Sequence, residues 1–269
     1  MKLSGVTRIS LRTVALAYIL MLLVLPLALI LWRSFEHGIG QFYDWISTPA
    51  AISAFNISMI IVLIVVPLNV IFGIITATAL VRGNFPGRSL LQGVVDLPFA
   101  VSPVVVGVSL ILLWGAGGWF GDVENLGFRV IFGLPGMVIA TLFVTLPYVV
   151  REVEPVLHEI GDDQEQAATT LGASRRQTFW RITLPAIRWG LTYGIVLTVA
   201  RALGEFGAVL MVSTGLPGGG ETLTLLVHAR YMNDRNIFGA YCAATLLMGM
   251  ALVTLLLMTL LERKRGKAQ

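Results

Sequence analysis

Long apolar runs separated by short polar intervals dominate this sequence. The first run, at 13–32, holds no charged residue over about the 20 residues that an α-helix needs to cross a bilayer. Hydrophobic residues make up 56% of the chain and charged residues 13%, about half of the roughly 25% usual in soluble domains. With a mean hydropathy of +0.83, the sequence predicts an all-α polytopic membrane protein.

The positions of the apolar runs predict six membrane helices. Pro67 is placed to bend the second helix, Pro98 to open the third and Pro103 to interrupt it. A cleavable signal peptide is the competing interpretation of the first run, but the run is too long and no small-x-small cleavage site precedes Arg33. Only the fifth run contains charged residues. The predicted helices lie within 13–32, 54–80, 97–114, 130–150, 189–213 and 237–261.

The distribution of basic residues predicts the orientation. Among the 19 Lys and Arg residues, Arg201 falls within a span and most of the others fall in intervals on one side of the membrane. Under the positive-inside rule, that side is the cytosol, so both termini and the polar stretch at 162–185 are predicted to be cytosolic. The net charge of +4 therefore requires no nucleic-acid partner. The predicted external loops hold Arg33, Arg129, Arg230 and Arg235.

The polar stretch at 162–185 predicts a short cytosolic helix. Asp162 and Glu165 have the spacing of an N-terminal capping box, and Gly172 can adopt the left-handed conformation that ends helices. Pro185 is placed to open the next helix. Between these signals, the small residues at 167 and 168 give a face that can lie close against another protein.

This stretch resembles the EAA loop of ABC importer permeases. The leading Glu of that family is Gln166 here, and Glu165 stands one position earlier. The resemblance implies that the short helix is a coupling helix, which docks into a groove of an ATP-binding subunit. An ordinary amphipathic linker helix is the alternative interpretation. The coupling residues that the resemblance implies are Glu165, Gln166, Ala167, Ala168, Leu171, Gly172, Ile182, Leu184 and Pro185.

Three further segments resemble the sulfate/molybdate branch of these permeases, and within it the sulfate permease subunits of the CysW type. They are 96–107 (DLPFAVSPVVVG), 200–209 (ARALGEFGAV) and 221–225 (ETLTL). The resemblance implies the type I importer permease (MetI-like) fold in the bacterial inner membrane. It also implies three kinds of partner: a second permease subunit of the CysT type, two ATPase subunits and an external sulfate-binding protein.

Under this resemblance, the chain divides into three parts. Residues 1–53 form the first membrane helix and the first external loop, residues 54–262 form the permease core, and 263–269 are a basic cytosolic tail. The core includes the cytosolic coupling loop at 151–188.

The sequence contains no constellation typical of catalysis. No P-loop, H-E-x-x-H or C-x-x-C pattern occurs, and His37, His158 and His228 are scattered. The single cysteine, Cys242, cannot form an internal disulfide. We therefore predict no enzyme activity, no metal site and no cofactor in this chain, with ATP and Mg²⁺ bound by the partner ATPase.

The charges of the fifth run are the costly feature of the predicted bundle. Arg201 and Glu205 are four residues apart, on one helix face near the middle of the span. Each charge at a bilayer centre costs about 2.5–3.5 kcal/mol even on insertion scales, so neither can face lipid. We favour a buried ion pair that fixes packing. The alternative is that Arg201 helps an anion across the gate, with Glu205 restraining its side chain. Separately, Ser102 between Pro98 and Pro103 either satisfies freed backbone groups or lines the path.

Three functions remain open at this point. The first is a permease subunit that imports sulfate, with thiosulfate as a related substrate, as half of a heterodimeric pore. The second is a homodimeric molybdate or tungstate permease. The third is a self-contained anion channel or secondary transporter, although the two sequence halves show no matched broken helices of the kind found in inverted-repeat transporters.

Overall fold

The computed structural model describes residues 5–127 and 129–265, and the side chains of 10–123, 127 and 129–260. Within these ranges the regular structure is helical, and no strand occurs. Lys2 and the tail residues 266–269 lie outside the described residues. The α-helices are α1 Gly5–Ile19, α2 Leu25–Phe35, α3 Ile39–Ile46, α4 Pro49–Arg82, α5 Arg88–Ala100, α6 Pro103–Trp114, α7 Leu134–Ile160, α8 Asp163–Thr170, α9 Arg175–Thr178, α10 Leu184–Leu203, α11 Gly207–Val212, α12 Leu223–His228 and α13 Ile237–Arg265.

The described helices include five candidate membrane spans, or six when one bent pair is counted as a span, in agreement with the predicted architecture. Five stretches of the described chain are long and apolar enough to span a bilayer, and the pair α5 and α6 makes the sixth, bent by 112°. Two of the five are joined through π-helical turns: α1 to α2 through Leu20–Val24, and α9 to α10 through Phe179–Thr183. The five are Ser10–Phe35, Pro49–Arg82, Leu134–Ile160, Arg175–Leu203 and Ile237–Leu260.

The third span is broken. It begins at Arg88, so Pro98 lies inside α5 and the prediction that this proline opens the helix was wrong. The helix ends at Ala100, and α6 begins at Pro103 with Ser102 as its N-cap residue. Because proline lacks an N–H and restricts the residue before it to extended backbone, the chain leaves the helix just before Pro103.

The fifth span is broken as well. It begins at Arg175, well before the predicted start, and α10 ends at Leu203. Residues 204–206 are not helical, and α11 then covers only Gly207–Val212. The prediction of one continuous helix over 189–213 was therefore wrong. It failed because the four-residue spacing of Arg201 and Glu205 fits one face of a continuous helix, whereas the chain leaves the helix at Gly204, between them.

Helix α7 forms the centre of the bundle. Its cytosolic half packs against α4, α5 and α10 through Val149, Val150 and Val153, which are fully buried. Its external half packs against α6 and α11. Since α5 and α6 contact opposite halves of the same helix, the broken third span crosses the full thickness of the bundle.

Several predicted loop segments are helical. Helix α7 continues to Ile160, beyond the predicted end at 150, and α3 lies in the predicted first external connector. In the last external loop, α12 buries Leu223 and Leu226 against α4 and α13. These helices were not predicted, because polar residues in and around them favoured a loop.

Candidate functional site

The two helix breaks lie side by side, and we call 101–102 and 204–206 the paired breaks. A methyl group placed on Gly207 would come within 3.2 Å of Pro103 Cβ, so the first turns of α6 and α11 touch. One turn further along, a Cβ on Gly107 would lie 2.6 Å from Met211 Cβ and 2.8 Å from the Ala208 carbonyl oxygen. The two short helices can pack this closely only because residue 107 has no side chain.

An ion pair sits at the second break. Arg201 Nη1 lies 2.7 Å from Glu205 Oε2, and the Glu205 side chain is 1% exposed while that of Arg201 is 29% exposed. The predicted pairing is therefore confirmed, but its position is not. Arg201 lies in the last turn of α10 and Glu205 in the break, rather than together on the middle of one helix.

Glu205 also fixes the backbone on either side of the break. Its Oε1 accepts a hydrogen bond from the Ala208 N–H at 2.9 Å, near the start of α11. Its carbonyl oxygen accepts a hydrogen bond from Thr224 Oγ1 at 2.7 Å, which ties the break to α12. The buried carboxylate thus has a cationic partner at one oxygen and a backbone donor at the other, and we assign the pair a role in packing.

Ser102 at the first break and Gly204 at the second are both exposed. Irregular backbone at membrane depth is tolerated only where it faces protein or a water-filled cavity, because lipid offers no hydrogen-bond partners. The exposed side of the paired breaks therefore faces something other than lipid. Ser102 and the Arg201–Glu205 pair, predicted separately, are brought to neighbouring breaks by the α6–α11 contact.

A second ion pair within the spans escaped the sequence analysis. Asp96 of α5 pairs with Arg151 of α7, and beside it the rings of Phe99 and Tyr148 meet edge to face at 5.5 Å. The prediction that only the fifth run carries charges was wrong, because α5 and α7 both extend beyond their uncharged cores. Only the observed helix ends reveal that these two charges lie within spans.

The predicted short helix is present as α8, but its start differs from the prediction. Asp162 is the N-cap residue, yet its side chain makes no capping hydrogen bond, so the predicted capping box was wrong. Instead, Asp162 Oδ2 accepts a hydrogen bond from Gln166 Nε2 at 2.7 Å, and Glu165 points elsewhere. The capping box of this region is formed by Ser174 and Gln177, at the start of α9.

The end of α8 agrees with the prediction. Gly172 has φ +86°, a conformation that favours glycine. The Gly172 N–H donates to the Thr169 carbonyl and the Ala173 N–H to the Ala168 carbonyl, both at 3.0 Å. This is the Schellman arrangement, which satisfies the last carbonyls of a helix and turns the chain sharply. Pro185 lies in the first turn of α10, as predicted, although the helical stretch extends back through a π-helical turn to Arg175.

Helix α8 has two different faces. Gln166, Ala167 and Leu171 are exposed, Leu171 to 89%, whereas Glu165 and Ala168 are half-buried. Beside its C-terminal end is a groove of about 290 Å³. The groove is lined by Leu171, Gly172, Ala173, Gln177, Thr178, Arg181 and Ile182. Leu184 is half-buried and Pro185 exposed, outside the groove lining.

Glu165 is directed toward its own chain. Its Oε1 accepts a hydrogen bond from Thr183 Oγ1 at 2.8 Å, and its Oε2 lies 3.2 Å from Arg82 Nε. Arg82 also donates to the carbonyl oxygen of Gly161. These contacts link α8 to the end of α4 and to the turn before α10. Sequence spacing alone could not show them, because the partners are far apart in the chain.

Among the described residues, no group of three or more His, Cys, Asp or Glu side chains is placed to hold a metal ion. One buried carboxylate lies outside the spans, in the last external loop. Glu221 is 2% exposed, and burial raises its pKa above the ordinary value, partly opposed by the nearby Arg230.

Up to six candidate spans, an exposed short helix between two of them and two adjoining helix breaks are the features of a multi-pass membrane protein. Residues 69–267 match the family described as "Binding-protein-dependent transport system inner membrane component", and the chain belongs to that family. It is therefore a multi-pass membrane component of a transport system that works with a binding protein, in agreement with the prediction of a non-catalytic subunit.

Curated relatives are similar over nearly the full length. The "Sulfate transport system permease protein CysW" of Synechocystis sp. is 47% identical over 94% of this chain and 91% of its own length. The protein of the same name from Synechococcus elongatus is 45% identical over 96% and 91%. The "Sulfate transport system permease protein CysT" of Synechocystis sp. is 35% identical over 93% and 87%. The predicted resemblance to the CysW type is confirmed.

A solved structure agrees on the fold. A bacterial alginate ABC transporter, crystallised with an alginate pentasaccharide-bound periplasmic protein, contains a chain that superposes with a TM-score of 0.80. The superposition covers 97% of this chain and 95% of that one at 17% sequence identity. The predicted importer permease fold is therefore confirmed.

Proposed function

We propose that this chain is the permease subunit of an ATP-driven importer of sulfate in the bacterial inner membrane. The observation that carries the proposal is the 45–47% identity to two CysW proteins over more than nine-tenths of the chain. That similarity spans both α8 and the paired breaks. Thiosulfate is a related oxyanion of similar shape and charge, and we include it in the substrate class.

In the proposed assembly, the exposed face of α8 docks into an ATP-binding subunit. Gln166, Ala167 and Leu171 lie free on that face, and the small Ala167 lets the partner approach closely. An exposed leucine in the cytosol is costly unless it is covered by a partner. Two such ATPase subunits bind ATP and Mg²⁺, and one serves each permease subunit.

The second permease subunit is proposed to be of the CysT type. A CysT and a CysW protein both occur in Synechocystis sp., and both align with nearly all of this chain. A heterodimer would place the exposed side of the paired breaks against a partner of the same fold. The external sulfate-binding protein would then deliver its anion to the outer ends of both subunits.

The paired breaks are the proposed gate. Ser102 and Gly204 are exposed there, and the α6–α11 contact allows the two breaks to move as one unit. Arg201 is already neutralised by Glu205, so we assign the ion pair to packing within the gate rather than to direct binding of sulfate. The gate would offer the anion hydroxyl and backbone donors instead of a full charge.

Co-purification with mass spectrometry, followed by uptake in vesicles, tests the proposal. The chain should co-purify with an ATPase and a second permease, and it should take up radiolabelled sulfate only when ATP and the binding protein are present. Excess thiosulfate should compete, whereas excess molybdate should not. Uptake without ATP would contradict the proposal. Competition by molybdate but not by thiosulfate would indicate that molybdate, rather than sulfate, is the transported anion.

Cysteine labelling tests the orientation. A cysteine at Ser174, beside α8, should react with an impermeant reagent only from the cytosol, and one at Gly219 only from outside. Cys242 is fully buried and gives little background. Reversed labelling would remove α8 from the side where ATP is available.

A further inference from the structure

Helix α8 rests on its own chain through few groups. It has no buried residue, and its eight residues are too short to be stable without tertiary support. Apolar packing therefore cannot hold it firmly to the bundle. The polar contacts of Glu165 are the ones that reach from α8 to the spans, and they reach two of them.

These contacts converge on one carboxylate. Glu165 Oε1 accepts from Thr183, which is 6% exposed, and Glu165 Oε2 accepts from Arg82 Nε. Side-chain exposures of 21% for Arg82 and 24% for Glu165 keep this pair partly shielded from water. Arg82 further donates to the Gly161 carbonyl, at the end of α7. Three spans thus meet at the base of α8.

The two ends of this contact lead to different parts of the bundle. Arg82 is the last residue of the 34-residue helix α4, so a displacement of α8 that moves Arg82 acts along the axis of α4. Thr183 closes the π-helical turn before α10, whose far end carries Arg201 and the second break. A rigid helix transmits an axial displacement over its length, so the base of α8 is mechanically connected to the paired breaks.

We propose that Glu165, Arg82 and Thr183 form a polar joint that carries the movement of α8 into α4 and α10, so that Glu165 is a positioning residue rather than an ATPase contact. This inference rests on the proposed function. It divides α8 into a docking face, with Ala167 and Leu171, and a transmitting face, with Glu165. Loss of the joint should leave docking intact while ATP hydrolysis no longer drives the gate.

The test uses the full complex in vesicles and measures three quantities: ATPase bound per permease, ATP hydrolysed, and sulfate transported per ATP. Glu165→Gln keeps an acceptor for Thr183 but loses the ion pair, and Glu165→Ala loses both. We expect normal ATPase content in each, with transport per ATP lower by at least threefold in Glu165→Gln and tenfold in Glu165→Ala. Asp163→Asn, the same chemical change on an exposed position of α8, is the matched control and should retain the wild-type ratio.

A double-mutant comparison separates a joint from a merely structural contact. Arg82→Gln should lower transport per ATP as Glu165→Gln does, and the combination should be no worse than either alone, because both remove one interaction. The charge swap Arg82→Glu with Glu165→Arg should recover part of the ratio. Additive losses without any recovery would overturn the joint.

Two other results would also overturn it. Loss of the bound ATPase from Glu165→Gln would place the carboxylate in the contact with the ATPase. A wild-type ratio of sulfate transported per ATP in Glu165→Ala would show that the joint transmits no movement. Failure of the proposed function is distinct from both, since it would appear as ATP-independent uptake or no bound ATPase in the wild-type complex.

Discussion

The paired breaks and α8 are held in place in opposite ways. At the breaks, α6 and α11 pack so closely that Gly107 has no room for a Cβ, and the charge of Glu205 is buried and compensated. Helix α8 buries no residue and is held by polar contacts at its base. One region is fixed by its own chain, whereas the other leaves a face open for a partner. Substitutions should therefore damage folding at the breaks, and assembly on the exposed face of α8.

The largest effect is expected from separating the ion pair at the second break. Arg201→Ala leaves the nearly fully buried Glu205 without its cation, and breaking a buried pair in this way typically costs about 3–5 kcal/mol. Glu205→Ala should be less damaging, because Arg201 is 29% exposed and can reach water. For both variants, the loss is measured as the yield of monodisperse complex and as the melting temperature in detergent.

The neutral pair Arg201→Met with Glu205→Gln is the control for that prediction. The amide oxygen that Glu205→Gln introduces can still accept from the Ala208 N–H, so assembly should largely recover. Transport per assembled complex then separates the two roles. A well-assembled but inactive neutral pair would show that Arg201 contacts the anion, against the packing role assigned above.

The next effect concerns close packing at the breaks. Gly107→Ala would force its methyl group against Met211 and the Ala208 carbonyl, and overpacking of this kind costs about 1–3 kcal/mol. Gly93→Ala on α5 is the matched control, because no atom lies within 4 Å of its Cβ position and alanine favours helix. Equal melting temperatures for the two variants would contradict the tight α6–α11 contact.

A smaller effect on folding, but a specific one on assembly, is expected at α8. Ala167→Arg places bulk and charge on the exposed face and should reduce bound ATPase at least tenfold, about 1.4 kcal/mol, with an unchanged melting temperature. Ala168→Arg should both disturb α8 and reduce uptake, because Ala168 is half-buried. Normal uptake by both variants would count heavily against docking through α8.

The smallest effect is a pH dependence from Glu221. Because burial raises its folded pKa, the protonated carboxyl favours the folded state, fully so below the unfolded pKa of about 4.3. That contribution is lost as pH rises through the folded pKa. Glu221→Gln should thus gain melting temperature relative to wild type between pH 4.5 and 7.5. The exposed Asp44→Asn should show no such trend, and a trend of opposite sign would contradict the burial of Glu221.

The same contrast explains what the sequence could predict. Helix α8 could be predicted because its polar residues stand between two apolar runs. Its end could be predicted from Gly172, whose left-handed conformation is a local property. The six crossings were found from length and apolarity. The break before Pro103 was predicted from that proline. The break at 204–206 was not, because the four-residue spacing of Arg201 and Glu205 also fits one face of a continuous helix.

The role of Glu165 shows a second limit. Its spacing from Asp162 fits a capping box, and local propensity alone favoured that interpretation. Arg82 and Thr183 compete for the same carboxylate, and they lie 83 and 18 residues away in the chain. Contacts over such separations are set by the packing of α4, α7 and α10, which no local pattern encodes.

The contact between Ser34 and Thr245 has a consequence for how the protein is made. Ser34 is the only buried residue of the first span, Ser10–Phe35, and its hydroxyl lies 2.6 Å from that of Thr245 in the last span. The two residues are 211 positions apart, so the ribosome needs roughly 10–40 s to synthesise the chain between them. During that interval the first span can contact α3, through Phe35 and Phe42, but not the last span. Docking of this span through Ser34 therefore has to wait for the last span.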